Sequence, residues 1–116
     1  MAVITAPGNL SSAQTGTGDS TNIVILPNSE PRVLRITSTV GATPTVTVNI
    51  QGSVDGTTYV NIPYSTTAAP TTQVVAALTI TTATTSQYVL AGGYPWRYVK
   101  CVMSANTNVT LTTDLF

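Results

Sequence analysis

Apolar and polar residues alternate along this chain with a period of two, most clearly within residues 44–64. There, Val46, Val48 and Ile50 alternate with threonine and asparagine, which is the pattern of a strand with one buried face. The dipeptide Asp55-Gly56 follows and predicts a turn, after which a second alternating run returns. The stretch therefore predicts a β-hairpin.

The length of the hairpin loop decides which residues face each other. A three-residue loop, Val54–Gly56, pairs Ile50 with Val60 and Val48 with Ile62, which keeps the apolar residues on one face. This loop also puts its glycine at the left-handed position that a type I turn with a G1 bulge requires. We therefore predict that those four apolar residues form a core face. The opposite, polar face then holds Asn49, Gln51, Tyr59 and Asn61.

The remaining apolar runs predict further short strands, separated by turn signals. In the run 96–103, we expect Arg97, Val99, Cys101 and Met103 to face the core. Seven to nine strands at intervals of about 8–12 residues predict an all-β fold, an antiparallel two-sheet β-sandwich. Jelly-roll and immunoglobulin-like topologies both fit this pattern. The other predicted strands are 2–6, 22–26, 32–38, 58–62, 73–80, 87–90 and 109–113, with a loop at 40–44 and a turn at 104–107.

Residues 1–21 differ from the rest of the chain. They contain many Gly, Pro and Asn positions and few residues that would make a core. We predict an extended N-terminal arm at 1–21 and a β-sandwich domain at 22–116. The arm would either clasp a neighbouring subunit or form a mobile terminus.

The composition limits the kinds of partner. Threonine accounts for 24 of 116 residues and valine for 14, and both suit strands. Charged residues make up only 7 %, against about 25 % in typical domains. With four cations and zero net charge, we expect no nucleic-acid binding, and no apolar run approaches a membrane span. A neutral surface favours association. We therefore expect burial in an assembly, rather than the neutral surface of a secreted protein.

The residues that usually carry catalysis are scarce. There is no histidine, which removes the commonest general base and transition-metal ligand. Cys101 is the single cysteine, so it has neither a disulfide partner nor an imidazole partner. The carboxylates lie far apart in the sequence. We therefore predict no enzyme activity, no cofactor and no metal site.

Aromatic residues are the remaining candidates for a contact surface. Tyr59 shares the outer face of the hairpin with Gln51, and Tyr64, Tyr94 and Trp96 lie in or beside loops. Exposed rings with polar tips often anchor interfaces, and they can also stack on sugars. These five residues are the interface candidates. The alternative for Trp96 is that it covers one face of a sheet.

Two segments resemble those of a known protein class. Residues 46–62 read Val-x-Val-x-Ile-Gln-Gly-Ser-x-Asp-Gly-x-x-Tyr-x-x-Ile, which is similar to a hairpin of small bacteriophage virion proteins. The segment Trp96-Arg97-Tyr98-Val99-Lys100 resembles a strand that follows later in such chains. Together they make the chain resemble capsid decoration, or cement, proteins.

The resemblance implies a function, a partner and a location. It implies a β-sandwich that binds the outer capsid surface of the virion, after synthesis in the host cytoplasm. It also implies a homotrimer that bridges neighbouring copies of the major capsid protein. Because the same hairpin occurs in other virion proteins, two alternatives stay open. They are a carbohydrate- or receptor-binding module of a tail or fibre, and a tail structural component.

Overall fold

The computed structural model describes residues 2–26, 32–90 and 96–116. Within these ranges all regular structure is β, so the predicted all-β class is confirmed, and no helix there could cross a membrane. Ten strands lie within the described ranges, so the predicted count of seven to nine is wrong. They are β1 (Ala2–Thr5), β2 (Gly8–Gln14), β3 (Gly18–Asp19), β4 (Asn22–Ile25), β5 (Arg32–Ser53), β6 (Val60–Asn61), β7 (Tyr64–Thr66), β8 (Leu78–Ile80), β9 (Thr84–Leu90) and β10 (Tyr98–Leu115).

Two long strands, β5 and β10, organise the sheet. They pair antiparallel from Tyr98 opposite Ser53 to Leu115 opposite Leu34. Strands β6, β8 and β9 pair with the other edge of β5, and β2, β3 and β4 pair with the other edge of β10. Strand β7 extends the sheet from β9, and β1 extends it from β4. Because β1 runs parallel to β4, the sheet is mixed, and the prediction of a purely antiparallel fold is wrong at that edge.

Strand β5 cannot be straight. Its 22 residues would span roughly 70 Å if they were fully extended, whereas the longest dimension of the molecule is 40 Å. The ladder with β10 shows where the strand bends. Pairing moves from Thr45–Thr107 directly to Val40–Val109, so residues 41–44 have no partner in β10.

The bend replaces two of the predicted breaks in the chain. The loop predicted at 40–44 and the turn predicted at 104–107 are both bulged positions inside continuous strands. Thr43 and Asn108 have left-handed φ values of 48° and 56° there. The Asn108 side chain donates a 2.6 Å hydrogen bond to the carbonyl of Ala42 across the bend. The turn residues therefore bend the ladder without reversing the chain.

Each long strand has a buried face on both sides of the bend. In β5, alternate residues are buried both before the bend (Leu34, Ile36) and after it (Val46, Val48, Ile50). All of these belong to a single core cluster with apolar residues of β10. The predicted inward positions Val99, Cys101 and Met103 are confirmed as buried, but Arg97 is exposed because it precedes β10.

The N-terminal segment contributes to this core. Strand β2 pairs with the end of β10, and Leu10 is fully buried in the core cluster. Ser20 exchanges hydrogen bonds with Cys101, donating from its N–H at 2.7 Å and accepting at its hydroxyl at 3.2 Å. The expectation that this segment adds little to a core is therefore wrong for Leu10. The division of the chain between residues 21 and 22 stays a prediction.

Candidate interaction surface

The loop between β5 and β6 is organised around the carboxylate of Asp55. The N–H groups of Thr58 and Thr57 donate to its Oδ1 at 2.9 Å and 2.8 Å, and the Ser53 hydroxyl donates at 2.8 Å. These hydrogen bonds, with the one from Thr58 acting most strongly, lower the pKa of Asp55 to about 2. The carboxylate therefore holds the loop in shape as its fixed acceptor.

This loop changes the register that the sequence predicted. Strands β5 and β6 pair Gln51 with Asn61 and Gly52 with Val60, so the predicted pairing of Ile50 with Val60 is wrong. The loop spans six residues instead of three, because Asp55 binds N–H groups two and three positions ahead of it.

The shift in register redistributes the predicted core face. Ile62, instead of Val60, lies opposite Ile50 and donates its N–H to that residue's carbonyl at 3.0 Å. Ile62 is buried, whereas Val60 is 44 % exposed, so Val60 is wrongly assigned to the core. Gly56 has a φ of 79°, which confirms its predicted left-handed conformation.

A lysine lies at the centre of the outer side of this hairpin. Lys100 pairs with Gln51 across the β5–β10 ladder. Its Nζ is 3.1 Å from Asp19 Oδ2 and 4.3 Å from the centroid of the Tyr59 ring. The positive charge is therefore balanced within the chain, by an ion pair and a cation–π contact.

Tyr59 is held firmly by this arrangement. Its hydroxyl is buried without a hydrogen-bond partner among the described residues, and burial raises the pKa of that hydroxyl. The nearby side chains of Tyr98 and Asp19 raise the pKa further. The Tyr98 ring lies so close to Gly56 that a Cβ there would be only 3.4 Å from it. The Tyr59 ring thus contacts β10 through Lys100, and the loop contacts β10 through Tyr98.

We call this surface the outer hairpin face. It combines polar amides with one partly covered ring, and one exposed valine lies in the loop beside it. Val54 is 54 % exposed, and Gln51 donates to the side chain of Asn61 at 3.2 Å. Sequence reasoning missed the exposure of Val54; the signal was its position directly before the Asp-Gly turn. The face consists of Gln51, Tyr59, Asn61 and Lys100, with Val54 in the adjoining loop; Val60 pairs with Gly52 and points to the opposite side of the hairpin.

The structure brings together two of the five predicted interface residues. Tyr59 and Gln51 both neighbour Lys100 on the outer hairpin face. Tyr64 is only 5 % exposed, so the expectation that its ring is exposed is wrong. Trp96 is half-buried and packs against the core next to Gly52. Tyr94 lies outside the described residues.

Both the hydroxyl and the ring of Tyr64 make contacts within the chain. Its hydroxyl donates to the carbonyl of Ala76 at 2.8 Å, and its ring meets that of Tyr88 edge to face, with 5.7 Å between centroids. Burial raises the pKa of this hydroxyl too. The phenol is therefore occupied inside the chain and anchors the segment around Ala76.

Two open grooves lie away from the outer hairpin face, and their linings contain no charged residue. One, of about 380 Å³, runs between β9 and the segment after β7, with Thr66, Thr85 and Gln87 in its lining. The other, of about 410 Å³, lies at the bend, with Thr39, Val40 and Asn108 in its lining. In the part of the chain that the structure describes, no three acidic or cysteine side chains come together as metal ligands would.

The fold has a counterpart among solved structures. No family model and no curated protein matches the chain. The crystal structure of the SPBc2 prophage-derived protein YomS is similar, with a TM-score of 0.68 at 6 % sequence identity. The match covers 92 % of this chain and 87 % of that one. At this identity, the likeness shows that the two proteins share a fold.

Proposed function

We propose that this chain is a structural protein of a bacteriophage virion. It binds the outer surface of the head as a homotrimer, stabilises contacts between major capsid proteins and catalyses no reaction. The observation that carries the proposal is the fold that it shares with a prophage-derived protein over 92 % of its length. The resemblance of residues 46–62 and 96–100 to segments of virion proteins supports the same assignment.

The bent strands support the two-layer form of the sandwich. The part of β5 before the bend pairs with β9, and the part after it pairs with β8 and β6. Both parts bury alternate residues in one core cluster, and the smallest dimension of the molecule is 21 Å. That is room for two sheets about 10 Å apart. In this arrangement the sheet folds over its own core, and the outer hairpin face lies on one outer side.

The outer hairpin face suits a contact with another protein. Interface cores are depleted of charge and enriched in tyrosine and other large side chains. On this face the charge of Lys100 is already paired with Asp19, and the ring of Tyr59 is held in place. Val54, in the adjoining loop, supplies exposed apolar surface. A capsid protein docking here would bury apolar area without having to compensate a free charge.

The same geometry does not favour a glycan-binding module. A sugar-stacking platform needs an open aromatic face. The ring of Tyr59 has an ammonium group over it, that of Tyr64 is buried, and Trp96 packs against the core. The alternative functions are carbohydrate or receptor binding and a structural role in the tail. The fractionation test below distinguishes a place in the tail from a place on the head.

The test locates the protein in particles of a phage that encodes it. Mass spectrometry of separated heads and tails is expected to find the chain in the head fraction, at many copies per head. Heads produced without the chain are expected to bind the purified protein and to become more resistant to heat. Recovery in the tail fraction, or failure to bind such heads, would contradict the proposal.

Two matched variants test the contact face. Asn61→Lys puts a charge on the outer hairpin face, and Val40→Lys puts one at the bend; both parent side chains are exposed. We expect Asn61→Lys to weaken head binding by at least about tenfold, because an unpaired charge would have to be buried. Val40→Lys is expected to bind like the parent protein. Equal binding by both variants would show that the contact lies elsewhere.

A further inference from the structure

The dipeptide Asp55-Gly56 is chemically reactive as well as suited to a turn, and the chain contains no second Asp-Gly pair. Glycine has no side chain to shield its backbone nitrogen, so this nitrogen can attack the carboxyl carbon of the preceding aspartate. The N–Cγ bond forms, the Cγ–OH bond breaks, and the hydroxyl leaves as water with the amide proton. Water then opens the resulting succinimide ring at either carbonyl, which yields aspartate or isoaspartate.

The fold engages the group that would be attacked, the Asp55 carboxylate. Its Oδ1 accepts hydrogen bonds from the N–H groups of Thr58 and Thr57, at 2.9 Å and 2.8 Å. The hydroxyl of Ser53 donates to the same oxygen at 2.8 Å. These donors favour the ionised carboxylate, whereas the reaction consumes the protonated carboxyl, whose hydroxyl is the leaving group. Ring closure therefore requires Asp55 to give up hydrogen bonds that its own loop supplies.

The attacking group, the backbone nitrogen of Gly56, is engaged by the same serine. The Gly56 N–H donates to Ser53 Oγ at 2.9 Å, while that hydroxyl donates to Asp55. Ser53 is itself fixed, because its side chain is fully buried and its carbonyl accepts the N–H of Arg97 at 2.9 Å. One immobile hydroxyl thus binds both groups that would have to react.

We propose that Ser53 protects the Asp55-Gly56 bond from spontaneous rearrangement to isoaspartate in the folded protein. Rearrangement would route the backbone through Asp55 Cβ and so lengthen the loop by one carbon atom. The N–H groups of Thr57 and Thr58 would then lose their acceptor in its present place, and the outer hairpin face would lose its supporting loop. The inference goes beyond the proposed function, since it concerns the chain alone and holds wherever the protein is located.

Peptide mass spectrometry tests the proposal by measuring isoaspartate at Asp55 after the purified full chain has been kept at neutral pH. Chain unfolded in guanidinium chloride is expected to form isoaspartate at least about tenfold faster than the folded parent, because the hydrogen bonds of the loop are absent there. Ser53→Ala is expected to accelerate the reaction about tenfold in the folded state, the factor that the loss of one hydrogen bond to a charged group implies.

Ser20→Ala is the matched control for the loss of a buried hydroxyl. Ser20 is 1 % exposed, and its hydroxyl bonds Cys101 and Asn22 instead of the Asp55 loop. This variant is expected to form isoaspartate at the parent's rate, which separates protection by Ser53 from a general loss of stability. Circular dichroism confirms that each variant is folded.

Three results would each overturn the proposal. They are rearrangement of the folded parent as fast as that of the unfolded chain, a rate for Ser53→Ala no higher than the parent's, and equal acceleration by Ser20→Ala. A Ser53→Ala variant slower than the parent would show that this hydroxyl relays the amide proton to the carboxylate. The comparison of folded with unfolded parent needs no substitution, so the proposal stays open to refutation even if Ser53→Ala fails to fold.

Discussion

Asn9 donates a 2.8 Å side-chain hydrogen bond to the carboxylate of Asp114, which lies 105 residues later in the chain. The same carboxylate receives Arg35 Nη2 at 3.1 Å, so three strands from distant parts of the sequence meet at one acceptor. Leu10, the neighbour of Asn9, is fully buried. Strand β2 is thus connected to β5 and β10 both on the surface and in the core.

Truncation of Leu10 is expected to destabilise the whole protein. Leu10→Ala removes a fully buried side chain and leaves a cavity, which typically costs 2–5 kcal/mol. Chemical denaturation measures the change in the free energy of unfolding. Thr17→Ala, at an exposed position in the same segment, is expected to stay within about 0.5 kcal/mol of the parent. A loss well below 1 kcal/mol for Leu10→Ala would instead indicate an arm that detaches from an independently stable domain.

Removal of the Tyr64 hydroxyl is expected to loosen residues 74–77. Tyr64→Phe deletes the hydrogen bond to the carbonyl of Ala76 and keeps the ring, at a cost of about 1 kcal/mol. Hydrogen exchange at residues 74–77 is expected to accelerate more than exchange in β10. Tyr88→Phe, which alters the other ring of the edge-to-face pair, serves as the matched control. Equal acceleration in both variants would argue against an anchoring role for this hydroxyl.

Replacement of Thr43 by glycine is expected to stabilise the protein. Thr43 has a φ of 48°, a conformation that is unfavourable for a β-branched residue and open to glycine. We expect Thr43→Gly to raise the free energy of unfolding by roughly 0.5–1 kcal/mol, since the relief of strain exceeds the entropy that glycine loses on folding. Thr45→Gly, in the paired part of β5, should lower it by a similar amount. Thermal denaturation of the two variants side by side gives the answer.

Alkaline pH is expected to destabilise the fold through Cys101. Complete burial raises the pKa of this thiol from 9.0 to about 12. Its contribution to stability is therefore complete below about pH 9, where the unfolded thiol is protonated, and is lost as pH rises towards 12. Denaturation curves are expected to shift less with pH in Cys101→Ala than in the parent. A folded thiol that reacted rapidly with Ellman's reagent at neutral pH would contradict this expectation.

Acid is expected to weaken the loop that forms the outer hairpin face. The pKa of Asp55 falls from 3.8 in the unfolded chain to about 2 in the fold, because hydrogen bonds from Thr58, Thr57 and Ser53 stabilise the carboxylate. The stabilisation is present above about pH 4 and disappears as pH falls through about 2. The difference in melting temperature between the parent and Asp55→Asn is expected to shrink over that range. A constant difference would exclude titration of Asp55 as its source.

The alternation in the sequence predicted the buried faces well. Val46, Val48 and Ile50 are buried as expected, because one face of each long strand meets the core on both sides of the bend. The left-handed Gly56 was also predictable, since a turn at Asp-Gly requires it. What the pattern could not supply was the length of that loop. It depends on where the Asp55 carboxylate finds its donors.

The sequence signals for turns were harder to interpret. Asn106 and Asn108 predicted a reversal, yet β10 continues through them. The Asn106 side chain bonds both the N–H and the carbonyl of Val109, at 3.0 Å and 2.8 Å, and so bridges the bulge within β10. A residue that favours turns can therefore support a bulge equally well. Whether it forms a turn or a bulge depends on the strand that lies beside it. The burial of Tyr64 could not be predicted for a similar reason. The carbonyl that accepts its hydroxyl hydrogen bond belongs to Ala76, which lies in a loop.

The bend of β5 and β10 has a mechanical consequence. In a protein whose two sheets share no strand, the packing of side chains between the sheets is what resists their separation. Here the strands β5 and β10 each continue without a break from one half of the sheet to the other, past the bend at residues 41–44 of β5. A force applied to one half is transmitted to the other through covalent backbone. Failure under tension would then begin with the peeling of short outer strands such as β1 and β7, while the two long strands still hold.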